Sequence, residues 1–157
     1  MTIEFHKEQG KPHVLRYIRQ DGSVTWTLLK TPFAIDHDLM HYAVEKILDL
    51  RGGFYGLLEQ GFDINDFTLP KEQRPIALKW ENLPIEAQYS EIIVGAFQQI
   101  PFNEDFWAGL KMQLDHFNLL VFEKLTPSVY EAILLKINRL RTEWAQLHFG
   151  QTLILEF

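Results

Sequence analysis

The dipeptide Asp21-Gly22 stands between two runs rich in β-formers, His13–Arg19 and Val24–Leu29, and that arrangement dictates an antiparallel hairpin. Asp-Gly is a favoured dipeptide of the two-residue type I′ turn, because both central residues there take positive φ. Upstream, Thr2–His6 alternates in polarity and Gln9-Gly10-Lys11-Pro12 signals a further turn. Residues 1–30 therefore predict a three-stranded meander. The face bearing Val24, Trp26 and Leu28 is expected to lie against helices, with Lys30-Thr31-Pro32 ending the sheet.

From there the period changes from two to three or four. Asp36 suits an N-cap and Asp38 the first helical turn, where a carboxylate complements the helix dipole. Ile35 and Met40 are placed to form a hydrophobic staple. Leu39, Met40, Ala43, Val44, Ile47 and Leu48 make one apolar face, which Arg51-Gly52-Gly53 stops. A short helix follows from Phe54 to Gln60. Residues 62–83, punctuated by prolines, read as a long and partly extended connection. Helices are then expected from Ile85 to Gln99, broken at Pro101, and from Asn103 to Lys124. The last opens at Thr126-Pro127, with proline at its favoured first position, and ends by Gly150. The tail, Thr152–Phe157, reads as a strand placed to close the N-terminal sheet and bring the termini together. The fold class expected is α+β: a small antiparallel sheet packed against four to five helices, in one domain over residues 1–157.

Composition narrows the function classes. The chain contains no cysteine, so disulfides, thiolate metal sites and a cysteine nucleophile are excluded, and any metal must take His and carboxylate ligands. A net charge of −6 argues against binding a nucleic-acid backbone. The N-terminus has no apolar signal region, and no apolar run reaches the ~20 residues of a membrane span, so cytoplasmic residence is the expectation.

His37, His41 and Glu45 recur at i, i+4 and i+8, a spacing that drifts only about 40° per step around a helix and lines one edge. That edge borders the apolar face beside Val44 and Leu48, which points it into a partly buried cleft. Two imidazoles one turn apart can share a divalent ion, with Glu45 as a further ligand or as the group orienting His41. Asp38 is the candidate base. Zinc, iron or manganese all suit such a donor set, and activation of water for hydrolysis is the simplest chemistry. The alternative is that both histidines serve packing and hydrogen bonding alone, with Asp36 and Asp38 explained by capping.

The run His37-Asp38-Leu39-Met40-His41 resembles the HDxxH zinc motif of the small coenzyme-Q biosynthesis proteins. The resemblance spans five residues of 157 and implies a metal site containing His37, Asp38 and His41. In that family a glutamate follows after eleven further residues, and this chain has Gly53 there. His37-Asp38 is also similar to the centre of HD-type phosphohydrolases, which use an earlier helical histidine, whereas His13 falls in an expected strand.

Other features read as structural. Gly52, Gly53 and Gly56 lack the Lys-Ser/Thr of a phosphate loop. His116 reads as a packed histidine, His148 as a partner for a helix C-terminus, and Glu91 and Glu123 as solvated carboxylates. Trp107, Trp144, Phe106 and Phe117 are expected in the core. Two functions compete: a metal-binding, hydrolytic domain, and a non-catalytic interaction domain. The second would offer Phe62, Ile64, Phe67 and Trp80 to a protein partner or a second copy.

Overall fold

The computed structural model describes residues 1–99 and 105–157. Four strands, β1 (Thr2–His6), β2 (His13–Ile18), β3 (Val24–Leu29) and β4 (Thr152–Glu156), form one antiparallel sheet in the order β3-β2-β1-β4. The helices are α1 (Pro32–Leu48), α2 (Phe54–Glu59), α3 (Ile85–Gln99), α4 (Phe106–His116) and α5 (Pro127–Gln146). The α+β class and the closing C-terminal strand are as expected. Met1 donates its ammonium to the Phe157 carbonyl at 3.1 Å, so the termini meet across β1 and β4. No helix among the described residues is long and apolar enough to cross a membrane.

The inner face of the sheet carries Ile3, Phe5, Leu15, Tyr17, Leu153 and Leu155, all buried. β3 contributes Thr25 and Leu29 to that face, and Val24, Trp26 and Leu28 point outward, about half exposed. This reverses the expected facing, and the hairpin explains it. Gly22 has φ +82° but Asp21 does not enter the positive-φ region, Gly22 N–H donates to Arg19 O, and Arg19 N–H donates to Ser23 O. The loop is thus a type I turn closed by a left-handed glycine, one residue longer than a type I′ turn. The observed register pairs Ile18 with Val24 and Tyr17 with Thr25. A shift of one residue sends every side chain of β3 to the opposite face.

α1 packs between α3 and α5 and presents buried residues around much of its circumference. Its N-cap is Thr31, whose Oγ1 accepts from Ala34 N–H at 3.2 Å, and Pro32 takes the first helical position. The helix therefore begins about one turn earlier than the expected cap at Asp36. Proline at that position lacks only an N–H that the helix would leave unused. Asp36, freed from capping, forms a two-pronged ion pair with Arg141 of α5 at 2.6 and 2.8 Å. Ile35 sits inside the helix, so it does not staple Met40 from outside. The stop comes at Asp49, which takes the left-handed conformation (φ 51°) that the reading assigned to glycine.

α3 and α5 follow their expected bounds closely, with Thr126 capping α5 through Val129 N–H. Pro101 and Asn103 lie outside the described residues. α4 ends at His116, well short of Lys124, because Asn118 turns the chain at φ 55° and Leu119 N–H closes back onto Leu114 O. The apolar residues Leu120 and Val121, within the expected helix, are exposed. Phe106 is buried as expected, but Trp107 and Phe117 are each about 40% exposed at the edge of α4.

The segment 62–83 is built of short 3₁₀ turns, at Ile64–Thr68, Ile76–Leu78 and Trp80–Asn82. Ile64 is buried, and Phe62, Phe67 and Trp80 pack against buried apolar residues. The side chains expected to greet a partner are instead turned inward. Ile64, Phe67 and Trp80 wall a cleft against α1 and α3.

Candidate metal centre

The cleft has a volume of about 450 Å³ and lies between α1, α3 and the 3₁₀ turns. That volume falls within the ~300–1,000 Å³ usual for small-molecule sites. On one wall stand His37, Asp38, His41 and Glu91; the remainder is mainly apolar, with Phe54, Leu57, Leu78 and Trp80.

His37, His41 and Glu91 each offer one ligand atom, and these atoms lie within 4.8 Å of one another. Helical spacing brings the two imidazoles together, with ring centroids 4.6 Å apart and nearly perpendicular. Glu91 comes from α3, whose crossing with α1 places its Oε1 3.8 Å from His41 Nε2. It stands on the rim, its side chain 43% exposed, where the reading as a solvated carboxylate is half right. A signal for it exists in the sequence. Ala87, Ser90, Glu91, Val94 and Gln98 fall at i, i+3, i+4, i+7 and i+11, so Glu91 shares a stripe with Ser90 and Gln98, which bond to Glu45 and His37 of α1.

Glu45 occupies the floor behind His41 and is fully buried. Its Oε1 accepts from Phe54 N–H at 2.9 Å and from Ser90 Oγ at 2.7 Å, and its Oε2 accepts from Tyr55 N–H at 2.9 Å. The carboxylate thereby caps α2, whose own N-cap residue, Gly53, has no side chain to do so. His41 Nδ1 completes the set, donating to Glu45 Oε1 at 3.1 Å. The other nitrogen, Nε2, faces Glu91. A carboxylate behind a histidine is the arrangement that fixes ring orientation and tautomer in metal sites. Glu45 lies behind the His41 ring, and Glu91 is the carboxylate that converges with the two rings.

His37 is held from outside by the Gln98 amide, 2.7 Å from Nδ1, and stacks on Phe33 with ring planes 16° apart. Burial pushes its pKa down to about 4, and the neighbouring His41 acts in the same direction. His37 is therefore neutral near pH 7. His41 is the opposite case. Burial opposes its charge, but Glu91, Glu45 and Asp38 outweigh burial and lift its pKa to about 9. The position favours a positive charge. Asp38 lines the cleft, and its carboxyl forms no hydrogen bond or ion pair with a described residue. Burial raises it to about 7, with His41 opposing and Glu91 adding to the rise.

The remaining candidates lie elsewhere. His116 is exposed at the end of α4 against Phe117, and His148 is in the turn after α5. Gly53 fills the place of the glutamate in the resembling family motif. A Cβ there would lie 2.5 Å from Glu45 Cδ, so no larger residue fits beside that carboxylate.

Comparison with models of protein families, with curated protein sequences and with solved structures finds no match to this chain. The site is therefore read on its own geometry.

Proposed function

We propose that this protein binds a divalent metal ion on His37, His41 and Glu91 and uses it to hydrolyse a small molecule held in the cleft. The observation that carries the reading is the convergence of three ligand atoms within 4.8 Å, with the Nε2 of His41 turned toward the shared point by Glu45. Electrostatics supports it. Three carboxylates, Asp38, Glu45 and Glu91, favour positive charge at His41, and a bound cation would satisfy them in place of the proton. Neutral His37 would offer Nε2 to the ion with the Gln98 amide turned so that its oxygen accepts from Nδ1–H. The nitrogen and oxygen donors suit zinc, iron or manganese. A bound ion of this kind polarises a carbonyl or phosphoryl oxygen and acidifies water. Asp38, on the same wall and without a side-chain partner among the described residues, would then accept or return the proton.

Metal analysis of the purified protein is the test, with His37→Ala/His41→Ala as the control. About one equivalent of metal in the natural protein and none in the variant is expected. Equal metal content in two folded proteins would sink the reading.

A non-catalytic interaction domain is the second reading, and one observation favours it. Val24, Trp26 and Leu28 form an exposed apolar strip on edge strand β3, more than 40% exposed at each position. Sedimentation as a monomer at high concentration would weigh against self-association through this strip.

A further inference from the structure

We propose that the cleft takes an amphipathic anion, with an apolar body against Phe54, Leu57, Leu78 and Trp80 and an oxyanion head, carboxylate or phosphate, on Arg74. The inference rests on the metal reading only in calling that molecule a substrate.

Arg74 carries the argument. It is the only arginine or lysine among the described residues that line the cleft. It is half-buried, and its Nε donates to the Leu69 carbonyl at 3.1 Å, which anchors the guanidinium. It forms no ion pair with any described residue, although Asp38 and Glu91 line the same cleft. Six of the other arginines and lysines, Lys11, Arg16, Arg51, Lys111, Arg139 and Arg141, are each paired with a carboxylate. A partly desolvated guanidinium without a counter-ion is costly, and its planar fork suits a carboxylate or phosphate. No carboxylate of a described residue fills that fork, so an anionic ligand is the partner that would.

The walls define the rest of the ligand. Phe54, Leu57, Leu78 and Trp80 offer no charge, and two of them, Leu57 and Leu78, are buried in a small apolar cluster beneath the 3₁₀ turns. An apolar body gains by leaving water there, and a purely polar anion would not. Head and body together favour a molecule with a charge at one end and hydrocarbon or an aromatic ring at the other.

Calorimetric titration of octanoate and of octan-1-ol into EDTA-treated protein tests this without the metal. Octanoate is expected to bind at least tenfold more tightly than octanol. Arg74→Met should bring octanoate down to the affinity of octanol and leave octanol unchanged, which also shows that the cleft is intact. Arg74→Lys, which keeps the charge without the fork, should retain part of the preference. Arg139→Met, outside the cleft, should bind octanoate as the natural protein does. Equal binding of the two probes to the natural protein, no binding of either, or full octanoate affinity in Arg74→Met would overturn the proposal. So would an equal loss of octanoate binding in Arg139→Met, since the preference would then follow overall charge. The metal reading stands or falls separately, on metal content.

Discussion

A Cβ on Gly53 would lie 2.5 Å from Cδ of Glu45, so the two residues define one joint position at the floor of the site. Gly53 leaves the room, and Glu45 fills it with the carboxylate that caps α2 and orients His41. Gly53→Ala is therefore expected to push Glu45 from its donors. Chemical denaturation should show a loss of about 1–3 kcal/mol, the usual cost of forcing extra atoms into a packed site. Metal affinity should fall with it. A variant as stable as the natural protein would show that Glu45 moves freely.

Glu91 and Glu45 are expected to separate by measurement. Glu91→Gln removes the proposed ligand from the rim, so metal affinity should fall at least about tenfold, while the melting temperature of metal-free protein hardly changes. Glu45→Gln replaces a buried carboxylate that accepts from four donors. It should cost about 1–3 kcal/mol of stability through unmet hydrogen bonds as well as weakening metal. If the two variants behave alike, the assignment of Glu91 to the ligand set and Glu45 to support is wrong.

Thr31 and Asp36 offer a test of where α1 begins. Thr31→Ala removes a side-chain cap and should destabilise the protein by about 1 kcal/mol. Asp36→Ala loses only its partly exposed pair with Arg141, a loss expected to stay below about 1 kcal/mol and to shrink in salt. A larger, salt-independent loss at Asp36 would restore it as the cap.

Asp63 should make the 3₁₀ wall of the cleft sensitive to acid. Burial alone would raise its carboxyl, but the backbone N–H and side-chain amide of Asn65, with Thr25, outweigh burial and hold it below the usual carboxylate range. A depressed pKa means that folding favours the charged form. The stabilisation is full above the unfolded value of about 3.9 and disappears as pH falls through the lower folded value. Asp63 is exposed, so the contribution is expected to be only about 0.5–1 kcal/mol. Melting curves of the natural protein and Asp63→Ala should differ at pH 7 and converge toward pH 2. A gap that persists at low pH would assign the effect to something other than the charge.

How much was legible follows from the range of each interaction. The meander, the closing strand, α3 and α5 depend on local periodicity and on capping residues within a few positions. The pairing of His37 with His41 is equally local, since the helical repeat alone brings them together. The start of α1 was legible too, in Thr31-Pro32, but the acidic residues further on competed for the same role. The facing of β3 turned on a single residue of loop length, which a sequence shows only weakly.

By itself, then, the chain's sequence determined the order and type of its elements and set two imidazoles on one helix edge. Only the tertiary structure decided what meets them. Glu91 arrives through the crossing of α1 and α3, Glu45 turns to the N-terminus of α2, and Arg74 comes round on the 3₁₀ wall. Those contacts join residues far apart in the chain. Their geometry comes from how helices pack and turns fold back, and periodicity within a segment carries no record of it.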